Sequence, residues 1–152
     1  MNKYMEYAIE EAKKALKKDE VPIGTVIVCN GKVIGKGYNQ RNKKKNSLMH
    51  AEMIAINKAC KKMKDWRLEN CEIYVTLEPC PMCAGAIANA RISKVFYASK
   101  ETTSKDNLCE KILSSTRLNH TCSISQIEEY EKQCSQMLSE FFKSKRKMPF
   151  SK

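Results

Sequence analysis

The sequence predicts a single α/β domain over residues 1–152, a three-layer α/β/α sandwich around a mixed central sheet. Three observations carry this. A strand-turn-strand signal stands near the N-terminus. Helical and strand patterns alternate after it. No repeat, linker or low-complexity tract divides the chain.

The elements follow in order. Residues 3–18 read as an amphipathic helix with Met5, Ile9, Ala12 and Leu16 on one face and lysines on the other, and Asp19-Glu20-Val21-Pro22 breaks it. Gly24 to Cys29 is β-branched and reads as a strand. Asn30-Gly31 is a two-residue hairpin turn, and Lys32 to Lys36 pairs back. A polar loop runs to Lys45. A helix is expected from His50 to about Lys62, a buried strand over residues 72–77, a helix over 81–90 with proline in its first turn, and a strand over 93–97. Residues 99–121 are polar and weakly patterned. A short strand over 123–127 precedes a last helix, whose stripe is Ile127, Tyr130, Cys134, Met137, Leu138, Phe141 and Phe142. Parallel connections should cross over right-handed.

The net charge of +11, from 28 Lys plus Arg against 17 Asp plus Glu, favours a polyanionic partner. The basic clusters are Lys43-Lys44-Lys45 and the group Lys143, Lys145, Arg146 and Lys147. No stretch is long and apolar enough to cross a membrane, and Met1 to Glu6 lacks the apolar run of a signal peptide, so the cytoplasm is the expected compartment. Eight cysteines without scaffold spacing suit a reduced protein with mostly buried thiols; the polar surroundings of Cys71, Cys109 and Cys122 predict exposure for those three.

His50-Ala51-Glu52 and Pro79-Cys80-Pro81-Met82-Cys83 carry the chemistry. One imidazole and two thiolates, His50, Cys80 and Cys83, can hold a zinc ion and leave a fourth position for water. The H-x-E…P-C-x-x-C pattern resembles the signature of zinc nucleobase deaminases. Zinc makes water acidic near pH 7, and Glu52 is the expected proton shuttle, acting as both base and acid. Cys-x-x-Cys at a helix start places both sulfurs on one turn near the positive end of the dipole. His120 sits in a polar stretch without ligand spacing and reads as a surface or packing histidine.

Beyond these motifs the chain resembles the bacterial tRNA adenosine deaminases of the cytidine deaminase superfamily. The likeness covers Glu20 to Val28, Gly35-Lys36-Gly37-Tyr38-Asn39, Trp66-Arg67-Leu68, Tyr74 to Ile87, and the tail Phe141-Phe142-Lys143-Ser144-Lys145-Arg146. The resemblance implies a cytidine-deaminase-like fold, one zinc per subunit of a homodimer, and conversion of a wobble adenosine to inosine in a tRNA anticodon loop, with an arginine tRNA as the expected partner. It implies that Asn39 hydrogen-bonds the flipped base, that Ala51 lies against it, and that Lys143 and Arg146 of the tail contact the RNA. One segment departs from the family: where a Gly-rich loop with Asp and Lys is usual, residues 99–106 contain no glycine.

Two other readings stay open on sequence. Residues 55–61, 78–83 and 95–98 also resemble bacterial guanine deaminases, which act on a free base. A zinc-stabilised nucleic-acid-binding module without catalysis is the alternative of another class, and it has no use for Glu52 beside an open metal position.

Overall fold

A computed structural model describes residues 1–101, 106–115 and 120–146. Five strands form one mixed sheet in the order β2-β1-β3-β4-β5. They are β1 (Gly24–Cys29), β2 (Lys32–Tyr38), β3 (Cys71–Leu77), β4 (Lys94–Ser99) and β5 (Ser123–Gln126). The described helices are α1 (Lys3–Lys17), α2 (Arg41–Lys44), α3 (Ala51–Met63), α4 (Pro81–Asn89), α5 (Leu108–Leu113) and α6 (Glu131–Arg146). β1 is antiparallel to both β2 and β3, whereas β3, β4 and β5 run parallel.

The alternation of β side chains builds the three expected layers. Ile27, Ile73, Val75 and Val95 face α3, α4 and α5, meeting Ala55, Ala59, Ile87 and Leu113. Val26, Val28, Tyr74 and Ala98 face the opposite way, onto Met5, Ala8 and Ile9 of α1 and Cys134 of α6. The hairpin turn is as the sequence reads: Asn30 and Gly31 both take positive φ, 51° and 78°, the mirror-image turn that matches strand twist. Asn2 starts α1, its Oδ1 accepting from the N–H groups of Tyr4 (3.1 Å) and Met5 (3.0 Å).

α3 lies unusually close to β2. Ala51, Ala55 and Ala59, one turn apart, present a smooth face, and Gly35 and Gly37 leave room for it. That approach is what carries the start of α3 down to the sheet end where β3 passes into α4.

The structure revises several expectations. His50 is the residue before α3 rather than its first turn, with extended backbone at φ −73° and ψ 158°. The polar loop before Lys45 contains the one-turn helix α2. The patternless stretch after Ser99 contains α5, which tucks Cys109 and Leu113 under the sheet. Six residues hold too few turns for a periodic signal, and packing makes that helix. Cys71, Cys109 and Cys122 are all buried in the same core, contrary to the exposure read from their polar neighbours. Leu16 is 41 % exposed; Ala8 and Ala15 complete the buried face of α1 instead. A 3-10 turn over Glu128–Tyr130 separates Ile127 from α6. Among the described residues no helix is long and apolar enough to cross a membrane.

Candidate active site

His50 and Cys80 each occupy the position just before a helix, where side chains commonly cap backbone N–H groups. Neither does so here. Both have extended backbone, and Pro81 opens α4 without an N–H to satisfy. Cys83, one turn into α4, is fully buried. The two helix starts meet, and His50 Nδ1 lies 3.6 Å from the sulfurs of both Cys80 and Cys83. All three ligand atoms lie within 4.8 Å of one another, the only such metal-capable group of three or more among the described residues.

These distances suit a tetrahedral zinc site. Zn–N of about 2.05 Å and Zn–S of about 2.3 Å at the tetrahedral angle give an N···S edge of about 3.6 Å. The proton arrangement also suits it. Cys80 is pushed down to about 4 by the hydrogen bond from Cys83, and then by His50, against its own burial. Cys83 is pushed up, because it donates to Cys80 and is buried. His50 is raised, chiefly by its hydrogen bond with Cys80. The three groups thus share protons within one cavity, and a cation that displaces those protons leaves the donors it needs.

Glu52, in the first turn of α3, is 4 % exposed and lines the same cleft. Burial pushes its carboxyl up to about 7, which lets it hold or release a proton near neutral pH. His120 takes no part: its Nε2 lies 2.7 Å from the carbonyl oxygen of Ile92, in the turn that leads into β4.

The cleft above these groups has a volume of about 810 Å³. Asn39 and Ala51 line it, and both are buried. The Asn39 Oδ1 accepts from the Arg41 N–H at 3.1 Å. Arg41, Lys100, Phe142 and Arg146 stand around the opening. Phe142 is 45 % exposed, while its neighbour Phe141 is buried with its ring edge-on at 5.5 Å. The stripe read on the last helix therefore divides. Cys134 and Phe141 turn into the protein, and Phe142 turns to the cleft.

Of the tail residues, Arg146 lines the cleft and Lys143 is exposed without lining it. Lys145 is held aside by an ion pair with Asp19 at 2.5 Å. Lys147 lies outside the described residues, as do positions 102–105 of the glycine-free segment. Sequence reasoning passed over Arg41, Lys100 and Phe142 as cleft residues. It also passed over Glu78, which is buried and accepts from the Glu101 N–H at 3.1 Å, tying the segment after β4 to the cleft wall. Its place before Pro79-Cys80 was the available signal.

The chain matches the MafB19-like deaminase family over residues 1–146. The tRNA-specific adenosine deaminase of Bacillus subtilis (strain 168) is 44 % identical over 145 residues, which span 95 % of this chain and 89 % of that protein. A solved structure from work on A-to-I editing by tRNA:A34 deaminases at the wobble position of transfer RNA superposes with a TM-score of 0.82. It shares 33 % identity and covers 89 % of this chain and 98 % of its own. The structure of guanine deaminase from Bacillus subtilis aligns with a TM-score of 0.64 and 39 % identity, over 67 % of each chain.

Proposed function

This chain belongs to the MafB19-like deaminase family and to the tRNA-specific adenosine deaminases, and from that premise we infer that it converts the wobble adenosine of a tRNA anticodon loop to inosine. The observation that carries the chemistry is the placement of Glu52, a buried carboxyl lining the same cleft as His50 and Cys80 of the His50, Cys80 and Cys83 donor group.

The metal we propose is zinc, one per chain, held by His50, Cys80 and Cys83; bound there, it would supply the Lewis acidity that makes water a nucleophile near neutral pH. Glu52 is the catalytic residue. Its carboxylate takes a proton from the attacking water and delivers it to N1 of the purine as a C6–O bond forms. The same carboxylate then takes the remaining proton from the new C6 hydroxyl and passes it to the amino group; the C6–N bond breaks as the C6=O bond forms, and ammonia leaves while N1 keeps its proton. Asn39 orients the base. Its Oδ1 is taken by the Arg41 N–H, so Nδ2 is the side available to donate to a purine ring nitrogen. Ala51 offers a small wall against the ring.

The RNA is held from outside. Arg41, Lys100 and Arg146 at the opening, with Lys43, Lys44, Lys45 and Lys143 further out, suit phosphates. Phe142 suits a neighbouring base by stacking. An anticodon loop already splays its bases, so flipping one costs little. We propose an arginine tRNA with a wobble adenosine as the substrate, a homodimer as the working assembly, and the cytoplasm as its place. A neutral free base such as guanine has no use for this ring of cations.

The test is incubation of zinc-loaded protein with an adenosine-bearing anticodon stem-loop of an arginine tRNA, beside free guanine, adenosine and cytidine, scoring inosine and ammonia. Conversion of the stem-loop, with affinity falling steeply with salt, is expected. Salt-insensitive turnover of guanine with no change in the RNA would overturn the substrate.

A further inference from the structure

Glu20 is a charged residue with no solvent of its own. It is 1 % exposed, between the end of α1 and the start of β1, far in sequence from the motifs that carry the chemistry. Its backbone N–H closes the end of α1 on the Ala15 carbonyl at 2.9 Å. Its carboxylate reaches across to the segment after β2. Oε1 accepts from the Asn42 N–H at 3.1 Å, and Oε2 accepts from the Lys43 N–H at 2.7 Å. A buried carboxylate is costly unless hydrogen-bonded in this way, and bonds to charged acceptors are among the stronger ones.

The segment it grips is the one that lines the cleft on the side of the base. Asn39 is 6 % exposed, and its N–H bonds the Ile23 carbonyl at 3.2 Å. The Gln40 N–H bonds the Met49 carbonyl at 3.0 Å, closing residues 40–49 into a loop that delivers the chain to His50. Within it, the Arg41 N–H donates to the Asn39 Oδ1, which leaves the amide nitrogen as the side free to donate to a base. Asn39 thus owes its orientation to where Arg41 sits, and Arg41 immediately precedes the two N–H groups that Glu20 holds.

We propose that Glu20 is a positioning residue for the deamination: its carboxylate fixes the Asn39–Lys45 segment and so sets the Asn39 amide in the cleft. This rests on the reading of the cleft as the base-binding site. A lysine-rich loop, left to itself, would repel its own charges and sample many conformations. One buried carboxylate with two backbone bonds restricts it without occupying any group that faces the substrate.

The test pairs Glu20→Ala and Glu20→Gln with Asn39→Ala in the zinc-loaded protein. Glu20→Ala should retain zinc and lower kcat/KM on the stem-loop about tenfold or more. In an Asn39→Ala background the same change should cost less than about threefold, because the group it positions is gone. Glu20→Gln keeps one acceptor and should fall between wild type and alanine; it also serves if the alanine variant folds poorly. Amide exchange needs no substrate, and the Asn42 and Lys43 N–H groups should lose protection in Glu20→Ala. Equal losses of kcat/KM in the two backgrounds, or undiminished protection of those amides, would overturn the proposal. A wild-type protein that leaves the stem-loop unchanged while the variant loses that protection would support the grip and count against the RNA reading instead.

Discussion

The Ala51 carbonyl oxygen lies so close to Gly37 that a Cβ on that glycine would stand 2.4 Å from it. Strand β2 and the first turn of α3 therefore meet backbone to backbone, and Ala51 lies between the proposed ligand His50 and the proposed shuttle Glu52. Gly37→Ala must push α3 away, since the Ala55 nitrogen would also be only 2.8 Å from the new atom. Expected are a loss of about 1–3 kcal/mol in stability and a drop in both zinc content and turnover. Thermal melts with metal analysis check it; an unchanged melting temperature would mean that α3 yields freely.

Cys83 and Glu52 face the same cavity and should fail differently. Cys83→Ala is expected to lose most of the bound zinc, as two donors hold the ion poorly. Glu52→Ala should keep about one zinc per chain and its fold, while kcat falls by several orders of magnitude. Metal content beside single-turnover rates makes the comparison. Near-normal turnover in zinc-loaded Glu52→Ala would remove the proton shuttle from the mechanism.

Phe142 and Arg146 share the outer part of the cleft but offer different physics. Phe142→Ala should weaken stem-loop binding about tenfold at every salt concentration, because stacking contributes roughly 1–3 kcal/mol per base. Arg146→Ala should weaken it mainly at low salt, reducing the slope of log affinity against log salt by about 1. Titrations at several ionic strengths separate them, and identical salt slopes for wild type and Arg146→Ala would mean that this guanidinium touches no phosphate.

Cys134, 2 % exposed between α6 and the sheet, is pushed by burial from about 9 up to about 12. The folded protein holds the neutral thiol, while the unfolded chain releases its proton from about pH 9 upward. Its contribution to stability is complete below pH 9 and lost progressively as pH rises toward 12. Urea unfolding under reducing conditions at pH 8, 9.5 and 10.5 should show a shallower alkaline decline for Cys134→Ala, by up to about 1.4 kcal/mol per pH unit. Parallel declines would show that the thiol stays protonated in both states or in neither.

The sequence by itself determined the elements whose signal is local. β1 runs over Gly24–Cys29 as its β-branched run reads, and Asn30-Gly31 makes the hairpin. The donor set His50, Cys80 and Cys83, with Glu52, was legible because its residue types and spacing are rare together. Only the tertiary structure decided what depends on partners far along the chain. Nothing near His50 in sequence says that its Nδ1 meets both sulfurs at 3.6 Å; that follows from two helices starting at one end of the sheet. Nothing near Phe142 says that it faces the cleft while Phe141 is buried. The α6 direction that separates them is anchored where the Asn2 N–H donates to the Tyr130 hydroxyl, 128 residues away. Cys109 and Cys122 looked exposed because their neighbours in sequence are polar, yet burial depends on neighbours in space, and the sheet covers both. Glu20 was visible only as part of a strand-leading motif. Its grip on Asn42 and Lys43 exists because the end of α1 and the start of the segment after β2 lie side by side, a long-range arrangement that no local pattern of residues encodes.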